Sequence, residues 1–350
     1  MTKYVEIEGV RIGEGFPPYI VAEISANHNG SIKKAMETIT QAKLAGANAV
    51  KLQSYTADTM TLNCDRQDFK IEGGLWGGQT LFDLYQSAHT PFEWHESLFK
   101  HAKEIGLTCF STPFDDTAVD LLEELDVVAY KIASFELTDL ALIKTVARTQ
   151  KPIILSTGMA NYEEISEAIS IVRSFGNENI ILLHCISAYP APYKSMNLRT
   201  IQALSKDFDV VVGLSDHSLG VTASQVAISL GGCFIEKHFI LDRKDGGPDS
   251  SFSIEPKELR LLCEGAVKSW QCLGEAGYQL REIEKENLKY RRSLYAAKDI
   301  AEGDVLSLEN VRKVRPGYGL APKYLDLVLG RKATCNIEFG EALQWNMIDE

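Results

Sequence analysis

The stretch PIILSTGMANYEEISEAISIVRSFGNENIILLHCIS, residues 152–187, decides how this chain is read. It opens on an apolar run that ends in Ser156, Thr157 and Gly158, and closes on a second run that ends at Ser187. Between them lies a helical pattern with Asn161 as its N-cap and Gly176 as its stop. Strand, helix and strand over this length make one βαβ unit. Runs this continuously apolar are buried parallel strands rather than strands with one wet face.

Working outward, the same kind of run recurs along the chain. YIVAEIS (19–25), AVKLQSY (49–55), LTCFSTP (107–113) and VVAYKIAS (127–134) precede the unit; VVVGLSD (210–216) and CFIEKHF (233–239) follow it. Eight runs at near-even spacing predict a (β/α)8 TIM barrel, in preference to an open doubly wound sheet. One interval is too long. It implies an insertion over residues 56–88, and the glycines and aromatics of DRQDFKIEGGLWGGQTLFDLYQSA (65–88) suit a functional loop better than a spacer. After Gly277 the pattern changes to a charged linker and then to short strands and turns. The expected division is a barrel over 1–280, then a linker with a small β-rich domain over 281–350.

Composition narrows the class of activity. Apolar residues are 45% and charged residues 24% of 350, ordinary globular values that exclude a fibrous or mainly disordered chain. Seven cysteines without a C-x-x-C pair predict reduced thiols in a cytoplasm and no zinc ribbon. The first residues lack the apolar core of a signal peptide, and no run is long enough to cross a bilayer. The net charge of −12 makes nucleic acid and anionic membrane unexpected partners. Residues 281–350 carry equal numbers of basic and acidic side chains, so the whole excess lies in the first 280. An anionic substrate would need a local cluster of cations inside this acidic shell.

Barrel enzymes do their chemistry at the C-terminal ends of the strands. Polar residues fall at all eight such ends: Glu23; Lys51 and Gln53; Ser111 and Thr112; Lys131 and Ser134; Ser156, Thr157 and Gly158; Ser187 and Tyr189; Ser215, Asp216 and His217; Glu236, Lys237 and His238, with Asp249 beyond. Burying so many polar groups is costly unless they pair or bind something. Lys51 and Lys131, inside apolar runs, must meet either an anion such as a phosphate or carboxylate, or an internal partner in Glu23 or Glu236. The Ser-Thr-Gly turn after the fifth run offers hydroxyls and backbone N–H groups to the same anion. His217 and His238, at adjacent ends, suit either a divalent metal completed by water and substrate or two satisfied core positions. Glu23 is open to reading as a general acid or base, or as the partner of Lys51. Arg315, in RPGYGL (315–320), is either a solvated turn residue or a cation carried over a barrel mouth.

These motifs, taken in order, resemble the sialic acid synthase family. The resemblance rests on AEISANHNG (22–30), VKLQSYTADTMT (50–61), STPFD (111–115), KIAS (131–134), STGM (156–159), LLHCISAYPAP (182–192), GLSDHS (213–218), EKHFILDR (236–243), GPDSSFS (247–253) and RPGYGL. It covers nearly the whole chain, and the tail is similar to that family's antifreeze-like (SAF) domain. The segment DFKIEGGLWGGQTLFDLYQSAHTPFEWH (68–95) looks like the pseudaminic branch, with the N-acetylneuraminic and legionaminic branches next. The resemblance implies condensation of phosphoenolpyruvate with an open-chain amino-sugar aldehyde. It further implies Mn2+, with Mg2+ or Co2+ as alternatives, on His217 and His238. Phosphoenolpyruvate would lie on Lys51, Lys131, Ser134, Ser156 and Ser215, with Gln53, Thr112 and Gly158 lining the substrate site and Glu23 moving a proton. Tyr189 and Asp249 would lie on the sugar side, and Arg315 would arrive from a partner in a domain-swapped homodimer. Ser187 stands where the sialic branch shows Asn, which fits a different sugar. Two readings from other classes remain to be set against this one: a Schiff-base aldolase using Lys51 or Lys131, and a sugar-acid binding protein without catalysis.

Overall fold

The computed structural model describes residues 3–349. It contains twelve strands in chain order: β1 (Tyr4–Ile7), β2 (Val10–Gly13), β3 (Tyr19–Glu23), β4 (Ala49–Ser54), β5 (Thr108–Pro113), β6 (Tyr130–Ile132), β7 (Ile153–Ser156), β8 (Ile180–Cys185), β9 (Val211–Asp216), β10 (Phe234–His238), β11 (Ser293–Ala296) and β12 (Val311–Val314). Strands β3 to β10 form a closed parallel barrel in chain order, with β10 pairing back onto β3. The eight apolar runs of the sequence are these eight strands.

The helices between them form for the reasons their sequences give. Asn161 accepts a hydrogen bond from the Glu164 N–H, and the Glu164 carboxylate accepts one from the Asn161 N–H, so Tyr162–Ser174 begins with a reciprocal cap. Ile165, Ala168, Ile169 and Val172 turn inward from that helix, and Gly176 at φ +76° ends it. Tyr19, Phe110, Tyr130 and Phe234 are wholly buried in the barrel core.

The first strands were not foreseen. β1 and β2 make an antiparallel hairpin that turns at Glu8 and Gly9, both with positive φ. Val5, Ile7 and Ile12 join the barrel's apolar cluster. A cleft of about 470 Å³ lies beside this hairpin, at the end of the barrel where the strands begin. It is rimmed by the surface pair Lys3–Asp209 and brings no catalytic groups together.

The insertion between β4 and β5 is a folded excursion. Lys70 bridges to Thr80, and Ile71 exchanges backbone hydrogen bonds with Gln79 and Gly78. The helix Leu81–Ala88 follows, with Thr80 as its cap.

The chain divides into two compact units, Met1–Gly274 and Glu275–Glu350. In the second, β11 pairs antiparallel with β12, and single bridges such as Ile300–Ile337 and Ala333–Ile348 extend the pairing. Leu294, Val311, Leu320, Val328, Ile337 and Leu343 belong to its own apolar core. Among the described residues no helix is long and apolar enough to cross a membrane. All seven cysteines are free.

Candidate active site

The alternation of a β-strand sends Lys51 and Gln53 to one face of β4, and Glu236 and His238 to one face of β10. Register then sets Glu23 of β3 beside Lys51. The Lys51 ammonium lies 2.5 Å from Glu23 Oε2 and donates to Thr112 Oγ1 at 2.9 Å. Glu236 Oε1 stands 3.5 Å from Lys131 Nζ and 3.9 Å from Lys51 Nζ. All four charged groups are buried. The internal pairing considered for the lysines is therefore present in the free chain.

That pairing leaves the two carboxyls in different states. Burial lifts Glu23 to about 7, against the pull of Lys51. Burial acts on Glu236 too, but Lys131 and Lys51 outweigh it and hold that carboxyl below the usual range. Burial depresses an ammonium, and at Lys131 it prevails. At Lys51 the two carboxylates outweigh it and raise the group. One ionised carboxylate and one near neutrality thus face two lysines, Lys51 held protonated and Lys131 depressed by burial. Environments that drive a pair of carboxyls so far apart mark acid–base chemistry.

Hydroxyls surround the cations. Thr112, Ser134, Ser156 and Ser215 line the same pocket as Lys51 and Lys131. Ser215 donates to Glu236 Oε1 at 3.2 Å, and Gln53 donates to Glu23 Oε1 at 3.1 Å. The Ser156 hydroxyl is buried without a hydrogen-bond partner. The Gly158 N–H donates to Ser134 Oγ at 3.1 Å. A methyl group on Gly158 would run into the Ser187 hydroxyl and come within 2.7 Å of Ser134 Oγ, so a larger residue here would push both hydroxyls out of their present positions.

The two histidines meet at the pocket wall, with ring centroids 5.4 Å apart. His217 Nδ1 lies 3.1 Å from the Ile186 carbonyl. That oxygen can only accept, so Nδ1 carries a proton, which leaves Nε2 as the nitrogen that could face an ion. His238 Nδ1 is buried with no hydrogen-bond partner, 3.7 Å from the Asp249 carboxylate. Burial, then the neighbouring His217, drives His238 well below its ordinary value, so it is neutral. Burial would depress His217 as well, but Cys185 and the Ile186 carbonyl outweigh it and raise that imidazole. Two imidazoles at one wall, one with a bare buried nitrogen, can supply donors to a divalent ion, which would displace any second proton on His217. Among the described residues no group of three or more His, Cys, Asp or Glu converges to hold one alone. Water and substrate would supply the other ligands.

Other positions complete the picture. Tyr189 lies against His217, ring to ring at 4.4 Å. Asp249 accepts from Ser25 Oγ at 2.5 Å. Asp216 and Lys237, also at strand ends, point to the other face and pair at 3.0 Å. Arg315 is an exposed residue of the second unit and has no acidic partner among the described residues.

Several site residues escaped the sequence reading. Glu136, two residues past KIAS, has a carboxyl that burial lifts to about 7, and its Oε2 makes no hydrogen bond. Phe114 and Phe135 line the pocket, and Tyr55 packs on Phe114 at 5.2 Å. His95 lies on the helix Phe92–Glu104 between the insertion and β5 and turns fully inward. Its Nδ1 donates to Pro91 O at 3.1 Å, so Nε2 accepts from Ser54, which lies 2.7 Å from Ser111. This chain of bonds ties a helix to β4 and β5 beside Gln53 and Thr112.

Comparison with known proteins agrees with this arrangement. The NeuB family profile matches residues 38–278, and the SAF domain profile matches residues 291–349. The chain belongs to the NeuB family. The crystal structure of the N-acetylneuraminic acid synthetase of Leptospira borgpetersenii in complex with citrate superposes with a TM-score of 0.74 at 30% identity, covering 82% of this chain and 96% of that one. Campylobacter jejuni supplies relatives from two branches. Its pseudaminic acid synthase is 45% identical over 93% of this chain and 95% of its own length. Its N,N'-diacetyllegionaminic acid synthase is 37% identical over 93% and 98%.

Proposed function

We propose that this NeuB family member condenses phosphoenolpyruvate with 2,4-diacetamido-2,4,6-trideoxy-L-altrose and water, giving pseudaminic acid and phosphate. One observation carries the reading: two buried lysine side chains, an unpartnered Ser156 hydroxyl and a pair of facing imidazoles converge on one pocket. The higher identity to the pseudaminic relative than to the legionaminic relative of the same organism supports the choice of sugar.

In the reaction, C3 of phosphoenolpyruvate bonds to the aldehyde carbon, water adds at C2, and the C2–O bond breaks to release phosphate. Lys51 and Lys131 hold the phosphate and carboxylate of the enol, with the hydroxyls of Ser134, Ser156 and Ser215 and the Gly158 turn shaping the cradle. Glu23, near neutrality and bonded to Gln53, holds or yields a proton at its carboxyl beside Lys51. A divalent ion on His217 and His238, Mn2+ in this reading with Mg2+ or Co2+ as substitutes, would polarise the aldehyde oxygen. A Schiff-base route needs a neutral amine; the carboxylates hold Lys51 protonated, so that route would fall to Lys131, which burial depresses, and borohydride reduction in the presence of substrate would then leave an adduct on Lys131. The seven free cysteines fit a cytoplasmic enzyme.

The test is phosphate release by the full chain with phosphoenolpyruvate, Mn2+ and a panel of amino sugars. Release coupled to a nine-carbon acid is expected with the trideoxy sugar. Equal or greater turnover with an N-acetylmannosamine-type sugar overturns the choice of branch, and binding without phosphate release overturns catalysis. The reading also includes a swapped homodimer in which a second copy supplies Arg315, an exposed cation without an acidic partner among the described residues. Mixing inactive His217→Ala and Arg315→Ala chains is then expected to restore a fraction of the activity. No recovery after exchange of subunits removes the shared site.

A further inference from the structure

The insertion carries one aromatic residue whose surroundings tie it to the site. Trp76 sits at the turn between Ile71 and Gly78, with the exposed Leu75 before it and Gly77 after it. Its indole N–H donates to the Pro248 carbonyl at 2.9 Å, so Trp76 pins the residue just before Asp249. Its ring lies 5.7 Å from that of Tyr189. Tyr189 is in turn 4.4 Å from His217 and 5.1 Å from Phe252, and Phe252 is 4.9 Å from His238. A continuous aromatic wall therefore runs from the two imidazoles out to the insertion.

The pocket beneath this wall is graded in polarity. Its floor holds Lys51, Lys131 and Glu236, while Phe114, Phe135 and Tyr189 stand at its sides. The charges of an enol phosphate belong on the floor. An aldehyde placed at His217 and His238 then leaves the rest of an open-chain sugar to run past Tyr189 toward Trp76. The indole N–H is already spent on Pro248, so Trp76 offers that tail only a π face with no donor. A methyl group is favoured against such a surface. A hydroxymethyl group would be stripped of water there and find no partner.

We propose that Trp76 is a specificity-determining residue that selects the deoxy, methyl-ended sugar over its 6-hydroxylated counterpart. It does so by extending the Tyr189 wall and by fixing the Pro248–Asp249 loop. This rests on the synthase reading above and adds the portion of the substrate that the insertion recognises.

The experiment compares the wild type with Trp76→Ala, Trp76→Phe and Leu75→Ala. The substrates are 2,4-diacetamido-2,4,6-trideoxy-L-altrose and the same sugar bearing a hydroxyl at C6. For Trp76→Ala the KM of the deoxy sugar is expected to rise about tenfold or more, and its preference over the hydroxylated sugar to fall by a similar factor. The KM of phosphoenolpyruvate and the melting temperature should stay near wild type, a split that a merely structural role would not produce. Trp76→Phe keeps a π face but loses the bond to Pro248, so it should fall between Trp76→Ala and wild type in preference, and Leu75→Ala should behave as wild type. A Trp76→Ala chain with unmoved sugar KM and preference, or with equal losses toward both substrates, discards this inference while leaving the synthase reading intact. A wild type inactive with both sugars rejects that reading and this inference with it.

Discussion

A His238→Ala chain is expected to lose at least about a thousandfold in kcat/KM while remaining folded, since a polarising ion is worth several kcal/mol and each 1.4 kcal/mol is a decade in rate. The side chain to be removed is buried at the mouth, and its Nδ1 makes no hydrogen bond, so truncation breaks no internal network. What it removes is one of the two imidazoles that face each other at 5.4 Å. Mn2+ binding, followed by calorimetry or by the electron spin resonance of the ion, should vanish with the activity. His217→Ala should do the same, and the double variant should be little worse than either single one, because the two imidazoles act as a unit. Exhaustive chelation of the wild type should reproduce the loss, with recovery on adding Mn2+. Undiminished turnover in chelator would remove the ion from the mechanism.

Lys51→Met tests the other half of the pocket. The ammonium is charge-paired to Glu23 at 2.5 Å and reaches Glu236 at 3.9 Å, and it is assigned to the enol phosphate. Losing a buried charged contact to an anion typically costs about 2–5 kcal/mol of binding, so kcat/KM for phosphoenolpyruvate should fall by about thirtyfold to several thousandfold. Stability should suffer less than the roughly 3–5 kcal/mol usual for stranding a buried charge. The reason is the carboxyl left behind. Glu23 already sits at about 7, and Lys51 is the main influence holding it down from where burial would put it. Without that cation it rises further, is protonated at neutral pH and carries no charge to strand. The same shift is visible in kinetics. The wild-type profile of kcat/KM against pH should inflect near 7, the inflection should move upward in Lys51→Met, and Glu23→Gln should lack it. An inflection that persists unchanged in Glu23→Gln would assign it to another group.

The barrel was legible because its strands are buried on both faces, which makes runs such as IILLHC and VVGLSD conspicuous without an alternating pattern. β6 is shorter than its run, since only Tyr130–Ile132 pair on β7. The N-terminal hairpin was missed although Val5, Ile7 and Ile12 alternate with polar neighbours around Glu8–Gly9, a signal diluted by its short length. At the site, residues carried on strands were readable because position along a strand fixes the end they face. Lys51, Lys131, His217 and His238 fell where expected. Residues carried on loops and outer helices were not, because their direction depends on tertiary packing. Glu136 follows a strand end on a single 3-10 turn, His95 turns inward from a helix that reads as amphipathic, and Trp76 reaches Tyr189 only through the folded insertion. Nothing local distinguishes these from surface positions.

The aromatic wall has a consequence for how such a protein can diverge. Glu23, Lys51, Lys131 and His238, to which the proposed reaction assigns its chemistry, are fastened to a closed ladder, where a slip of one residue would turn them all outward. The groups that meet the far end of the sugar hang from connecting segments that the ladder does not constrain. Descendants can therefore trade one carbohydrate for another by rewriting a short segment such as 71–79, while the reaction itself passes down unaltered.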